Sequence, residues 1–442
     1  MSGDLLAIGA SAIRAYQTAL GAVGDNVANA QTVGYARRTT QLTEGNASSK
    51  PNILYTNSTF FGGVDVAAIN RATDMFRTSE SRIAASAHGS AAAISNWMTV
   101  AENGLDDSAT GVGASLAQVF AAGNTLAADP ASRSSRSAFL TSITQTAQVI
   151  STSAGDLQRA SVGIGDATRV AVDALNASMS SLATVNLAIR HTPPGTTGYN
   201  ELSDQRDNLI DTIAQRLDVT VTVAPDGSAT LASGNQPLVT NGTAAQMLAV
   251  TASDGRLSFS IANTPFTPIS GELQGLATAA NTVADRRASL DTVASDLTTA
   301  LNQWQATGQT PAGTPGVALL TTTGGALGLS ATVSNPDLVA AATTGAANGN
   351  ALALSDLRAS SGVEASWANI VSAQAQTTAT AKTAEASTAA RQSTADAARD
   401  SVEGVDLDRE AADMLRFQQA YQAAARVIQA AKDTVDAIMK IS

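Results

Sequence analysis

Few residues in this chain are of a type and spacing that could do chemistry. Two histidines, His88 and His191, are the only imidazoles in 442 residues, and cysteine is absent. A metal site needs several such ligands at helix-turn or hairpin spacing, and these two stand far apart and alone. Without cysteine there is no disulfide framework, no thiolate metal site and no thiol nucleophile. His191 precedes a Pro-Pro-Gly stretch and reads as a surface residue. The pair Asp106 and Asp107 lies in GLDDSATGVG, where carboxylates cap helices or face water. The run Asp204 to Asp207 (DQRD) places acids and a base on one helix, and ion pairing within that helix accounts for it. No HExxH, no phosphate-binding glycine loop and no nucleophile elbow occurs. These residues predict no enzyme, no metal, no cofactor and no small-molecule substrate.

The regular spacing belongs to apolar residues instead. Leu6, Gly9, Ile13, Tyr16, Leu20, Val23, Val27 and Ala30 follow one another at alternating steps of three and four, as in a coiled-coil seam. Gly34 supplies a stop before extended chain. At the other end Met414, Phe417, Tyr421, Ala424, Ile428, Ala431, Val435 and Ile438 repeat the pattern. Asp406, Asp408 and Glu410 open that helix and Lys440 closes it, matching the sign of the helix dipole at each end. Periodicity does not name a partner, so two readings stand: two surface helices on one core, or a pair formed by the two chain ends.

Composition narrows the class. Apolar residues make up 44% but aromatics only 4%, which points to alanine-rich, closely packed helices. The formal charge of −11 disfavours sequence-blind binding to nucleic acid or anionic lipid, and no apolar run has membrane-spanning length. The opening MSGDLLAIGA lacks the lysines and long apolar block of a secretory signal. The expectation is a protein that stays inside or leaves by a route that reads no cleaved signal.

Between the ends, helices are expected over Ala72 to Leu105, Gly111 to Ala128, Ala131 to about His191 as a single very long helix with small-residue interruptions near Gly155, Gly163 and Gly165, Glu201 to Leu217, Gly271 to Trp304, and Leu352 to Glu403. HTPPGTTGYN must break the helix before it. LDVTVTV, the turn PDGS and SATLAS read as a hairpin, with further short strands between Pro237 and Phe266. Gly308 to Gly349 is Gly/Thr/Pro-rich loop and short-strand material. The predicted fold class is mainly α and nested: residues 1–45 with 400–442 form a terminal coiled-coil module, and residues 46–307 with 350–399 a helical domain. That domain carries a β-element at about 217–266.

The string ALGAVGDNVANAQTVGYARRTTQL resembles the N-terminal signature of the flagellar rod, hook and hook-associated axial proteins, through Asn26, Ala28, Asn29, Thr32, Gly34 and Tyr35. Physically, the two asparagines can bond nearby backbone and Gly34 lets the chain leave the helix sharply. GVDLDREAADMLRFQQAYQAAARVIQAAKDTVDAIMKIS resembles the C-terminal signature through Leu407, Glu410, Phe417 to Tyr421 and Arg426 to Ile428. Rod and hook subunits are expected to have β-rich interiors, whereas this interior is helical. FGGVDVAAINRATDMFRTSESRIAAS, ELSDQRDNLIDTIAQRLDVTVTVAPDGSATL and AKTAEASTAARQS look like the FlgK-type hook-associated family.

That resemblance implies a structural subunit between hook and filament, extracellular and exported without a cleaved signal. Copies of itself, a hook protein on one side, a second junction protein or filament on the other, and a chaperone on the C-terminal helix are the implied partners. It implies an assembly interface of Leu6, Ile13, Tyr16, Leu20, Val23, Asn26, Val27, Asn29, Gly34, Tyr35, Met414, Phe417, Tyr421, Ile428, Val435 and Ile438. Tyr16, Leu20, Val23 and Val27 would meet Met414, Phe417, Tyr421 and Ile428 or their copies in neighbours, from termini ordered on assembly. Residues 308–349 then stand in place of an outer domain that relatives carry. Another axial subunit (rod, hook or flagellin-like) and an exported helical adhesin or effector are the alternatives.

Overall fold

The computed structural model describes residues 2–45, 62–105 and 107–441. The stretch 46–61, which opens the second predicted domain, lies outside the described residues, as does Asp106.

In chain order the elements are α1 (Ser2–Ala28), β1 (Arg38–Glu44), β2 (Val64–Arg71), α2 (Met75–Gly104), α3 (Val112–Ala128), α4 (Arg133–Arg190) and α5 (Thr197–Arg216). The strands β3 (Thr220–Val223), β4 (Ala229–Ser233), β5 (Gln236–Thr240), β6 (Thr243–Ala244), β7 (Met247–Thr251), β8 (Leu257–Ile261) and β9 (Thr264–Phe266) follow. The chain continues with α6 (Gly271–Thr307), β10 (Leu320–Thr322), β11 (Leu329–Ala331), α7 (Gly349–Leu352), α8 (Leu354–Ser361), α9 (Val363–Glu403) and α10 (Leu407–Ile441). The protein is mainly helical with small β-elements.

The residues fall into two compact units, cut at other positions than the domain boundaries expected from sequence. The first holds residues 1–86, 174–246 and 389–442; the second holds 87–173 and 247–388. The expected β-element at about 217–266 is divided between them, β3 to β6 forming an antiparallel meander in the first and β7 to β9 another in the second.

In the first unit α1 packs on α10 and on the β1–β2 ribbon. The ribbon is antiparallel from Arg38↔Arg71 to Glu44↔Val64, with a bulge at Gln41/Leu42. Helix α5 starts at Thr197, earlier than Glu201, because Thr196 caps it by accepting from the Tyr199 N–H at 3.3 Å.

In the second unit the core is built on one heptad stripe. Ile143, Ile150, Leu157, Ile164 and Ala171 of α4 are all buried, as are Leu276, Val283, Leu290 and Leu297 of α6. Seven-residue spacing keeps one helix face turned inward over many turns. The expected interruptions do not occur: α4 runs unbroken for 58 residues. Gly163 is instead a close-approach site, its hydrogen lying against the Trp97 ring. The expected Leu352 to Glu403 helix is in turn cut into α7, α8 and α9, because Gly362 ends α8 in the left-handed region at φ 63°.

Residues 308–349 form a short, ordered strap on α6. The β10–β11 hairpin buries Leu319, Leu320 and Leu329. Asn302 clasps it, accepting from the Leu319 N–H (2.7 Å) and donating to the Leu320 carbonyl (2.8 Å). Gln305 and Asn350 hold the other end through the backbone at Leu338 and Ala340. Trp304 donates to the Asn350 carbonyl at 2.7 Å while its ring meets Phe139 edge-on, centroids 5.4 Å apart.

All three tryptophans, Trp97, Trp304 and Trp367, belong to the second unit, so their fluorescence reports on its unfolding. Leu157→Ala, which leaves a cavity on the α4 stripe, is expected to lower that unit's stability by about 2–5 kcal/mol. Tryptophan-detected urea unfolding measures it as a shifted midpoint.

Candidate assembly site at the chain ends

Helices α1 and α10 pair antiparallel. The contacts run Gly9 with Ile428, Tyr16 with Phe417, Gln17 with Tyr421 and Asn26 with Glu410, one helix read forward and the other backward. Gly9 has a specific role: a Cβ there would sit 2.5 Å from Ile428 Cγ1, so only glycine leaves the notch that the isoleucine fills. The Tyr16 and Phe417 rings lie 6.5 Å apart, tilted by 34°, and the Arg416 guanidinium covers the Phe417 ring at 4.7 Å.

Burial corrects the seam drawn from spacing. Val23 of that seam is buried, but the most buried line of α1 runs through Ala15, Ala19, Ala22 and Asn26. The reason is geometric: α1 lies between α10 and the ribbon, so its inward line falls between the two contact directions. Leu6, Ile13, Tyr16 and Leu20 border that line and are half-buried. Val27 lies outside it, 41% exposed. On α10 only Glu410, Ala424 and Ala431 are buried; Met414, Phe417, Tyr421, Ile428 and Val435 are half-buried, and Ile438 is 57% exposed. Leu415 and Met439 also face outward.

The loop after α1 is held by its own polar residues. Asn26 makes a two-way clasp on Arg38, donating to its carbonyl (2.8 Å) and accepting from its N–H (2.9 Å). Half-buried Asn29 donates back to the Asp25 carbonyl and accepts from the Thr32 hydroxyl at 3.2 Å. Gly34, exposed at φ 76°, turns the chain so that Tyr35 can donate to Asn26 Oδ1 at 2.9 Å. The Arg38 guanidinium stacks on the Tyr35 ring at 4.8 Å.

The charges were the part that spacing did not disclose. Glu410 is fully buried, receiving Arg37 Nε at 2.6 Å and Asn26 Nδ2 at 2.9 Å. Arg37 also reaches Asp413 at 3.1 Å. From Arg38 the lattice continues into α5. Asp204 takes Arg38 (3.1 Å) and Arg71 (2.5 Å); Asp207 takes Arg71 (2.6 Å) and Arg206 (3.0 Å); Asp211 takes Arg82 (2.6 Å) and Arg399 (3.0 Å). Pairing inside DQRD thus accounts for one of these contacts, Arg206–Asp207; the others join β1, β2, α2 and α9 to α5. Burial pushes the Asp207 carboxyl up, but Arg206, Arg71 and Arg82 outweigh it and hold its pKa below 3.8. Burial is also the main cause at Tyr35, whose phenol is pushed up to about 12 from 10.0, against the opposing effect of Arg38.

No group of three metal-ligating side chains occurs among the described residues, and none of their helices is long and apolar enough to cross a membrane. Asp107 accepts from the Trp367 indole at 3.0 Å, a structural bond in the second unit. The chemistry available at the chain ends is helix packing with buried ion pairing.

Glu410→Ala strands Asn26 and half of Arg37, at a cost of about 3–5 kcal/mol borne by the helix pair. Hydrogen exchange over residues 407–441 is expected to accelerate, with the tryptophan-detected melt unchanged. A second expectation concerns pH. The folded chain keeps Tyr35 protonated above the ordinary value of 10.0, so its contribution to stability is whole below pH 10 and is lost as pH rises to about 12. Tyr35→Phe should flatten the stability of the terminal pair across that interval, measured by pH-dependent hydrogen exchange.

Comparisons with known proteins match this architecture. The model for the flagellar hook-associated protein FlgK helical domain matches residues 98–320, just over half of the chain. The model for the flagellar basal body rod FlgEFG protein C-terminal region matches residues 401–441, which cover α10. Flagellar hook-associated protein 1 of Escherichia coli K12 is 26% identical over 246 residues, 55% of this chain and 44% of that protein. Its counterpart in Salmonella typhimurium LT2 is 28% identical over the same span. The match therefore takes in less than half the length of these relatives. Among solved structures, the flagellar hook junction protein FlgK from Burkholderia pseudomallei shares the fold, with a TM-score of 0.51 and 20% identity over 55% of this chain and 47% of that one. The chain belongs to the FlgK family of flagellar hook-associated proteins.

Proposed function

We propose that the chain is a structural, non-enzymatic subunit of the junction between flagellar hook and filament. The observation that carries this reading is the terminal helix pair. A helix of 35 residues is laid along α1 with three side chains fully buried and an apolar line left outward. Such a helix has more packing capacity than its own chain uses, and copies of the same helix are suited to take up the remainder. The sixteen interface residues read from the sequence, from Leu6 to Ile438, form the proposed contact set. Half-buried Leu6, Ile13, Tyr16, Leu20, Met414, Phe417, Tyr421, Ile428 and Val435 act within and between copies, and outward Val27 and Ile438 act between copies.

The helical body favours the junction over a rod or hook subunit, for which a β-rich interior is the expectation. Its proposed neighbours are copies of itself, a hook protein on one side and a second junction protein or filament on the other. A chaperone shields α10 before export, and the subunit reaches the extracellular flagellum without a cleaved signal. In this reading the terminal pair, residues 1–45 with 400–442, works as a module that orders fully on assembly. The strap 308–349 replaces an outer domain, so the subunit reaches less far from the axis.

Deleting Arg409 to Ser442 in the source bacterium tests the reading. Electron microscopy is expected to show hooks without filaments, with filament subunits lost to the medium. Normal filaments on those cells would overturn the junction role.

A further inference from the structure

The α1–α10 seam is degenerate by construction. On α10 the apolar positions repeat every seven residues, from Met414 and Phe417 through Tyr421 and Ala424, Ile428 and Ala431, to Val435 and Ile438. Sliding α10 by one heptad, about 10 Å along α1, returns an apolar residue to each apolar place. The Gly9 notch accepts Val435 after such a slip as it accepts Ile428 now, while Ile428 moves to the level of Tyr16, so the notch itself adds a steric preference for the observed register. Apolar packing therefore offers apolar partners in several registers and separates them by side-chain size alone.

One polar contact in the pair is not periodic. Glu410 is the only charged side chain among the buried residues of α10, and Asn26 is the only amide buried on α1. Each fully engages the other: Asn26 Nδ2 reaches Glu410 Oε2 at 2.9 Å, while Arg37 Nε reaches Oε1 at 2.6 Å. Asn26 is itself fixed by its clasp on the Arg38 backbone and by Tyr35. A one-heptad slip in one direction carries the carboxylate to the level of Ala19, among Ala15, Ala19 and Ala22, away from Asn26 and Arg37. In the other direction it passes beyond Ala28, where α1 has ended, and Asn26 loses its partner. Either slip strands buried polar groups.

We infer that Asn26 and Glu410, with Arg37, are the register lock of the terminal helix pair, the contact that selects one alignment from a set the apolar seam separates by side-chain size alone. A single buried polar pair is the best-attested device for this in paired helices, and it operates at a cost in stability. The inference concerns the pairing alone and stands whether or not the junction reading holds.

The absence of cysteine makes the test direct, since engineered thiols meet no background. Gln17→Cys is combined in turn with Tyr421→Cys, which reports the observed register through the Gln17–Tyr421 contact, and with Met414→Cys or Ile428→Cys, which report slips of one heptad. Cross-linking by a short bis-maleimide is compared in the full chain with and without Asn26→Leu/Glu410→Leu, and tryptophan fluorescence checks that the second unit is folded in each preparation. The full chain is expected to favour the Tyr421 position by about tenfold or more, since a stranded buried charge costs well over one factor of ten. In the double variant the three yields are expected to come within about twofold, because the buried amide and carboxylate are then gone and only the partly exposed Arg37–Asp413 contact still distinguishes the registers. Three outcomes overturn the inference. A double variant that keeps the tenfold preference assigns register to the apolar seam. One that cross-links nowhere assigns the polar pair to stability only, and an equal spread in the parent shows that no register is held.

Discussion

Everything at the chain ends depends on one constraint: among the described residues α10 has α1 as its only extensive partner, and the two meet across nearly the whole sequence. The Asn26–Glu410 bond joins residues 384 apart. Closing so long a loop carries an entropy cost that grows only slowly with length, so distance by itself is a small obstacle. The larger requirement is that both ends be aimed. The first unit does this with backbone and charge together. The Arg37 N–H bonds the Glu403 carbonyl at 2.8 Å, and the Ala72 N–H bonds the Arg37 carbonyl at 2.8 Å, fixing the exit of α9 beside β1 and β2. With the strand so placed, Arg37, just before β1, points to α10 and Arg38, its first residue, to α5, and the two serve separate sites because successive side chains of extended chain face opposite ways.

The arginines and aspartates around α5 then act as a frame. Asp204, Asp207 and Asp211 repeat at steps of three and four on one helix face, and each receives arginines from distant segments. Ion pairs of this kind, partly removed from water, contribute little net stability over well-packed apolar residues, yet breaking one is costly. Their effect is to make mispaired arrangements expensive. In a chain whose helices are rich in alanine, with few large side chains to interlock, that penalty is a main source of uniqueness.

How much of this was legible in the sequence follows from which rules are local. The three-and-four spacing located both terminal helices, and the mainly helical body was visible in the same way. Spacing drew the α1 seam one residue away from its most buried line, since it assumes one partner and α1 has two. The same spacing makes α4 legible as one very long helix, and Gly155, Gly163 and Gly165 do not interrupt it. Charge rules act within a helix, so they place Glu410 on the helix dipole and give Arg37 and Arg38 no role, since the partners of those arginines lie 373 and 166 residues away. The available signal was a pair of arginines directly after the asparagine-rich turn, with acids at three-and-four spacing elsewhere in the chain. It indicates that a lattice exists without naming its members.

The two kinds of interaction divide the work at the terminal pair. Apolar packing along a repeating seam supplies affinity but separates registers by side-chain size alone, so it suits a surface that must also meet copies of itself at equivalent positions. A buried carboxylate with two fixed donors supplies little affinity and tolerates one alignment only. Placing the selective contact at the root of the pair, beside the strands that hold Arg37 and Arg38, fixes register where the rest of the fold is rigid. The outer length of α10 is then left with few polar demands: beyond Glu410, its buried side chains among the described residues are two alanines, Ala424 and Ala431. The pair can accept further helices along its outward face without giving up the alignment set at its base.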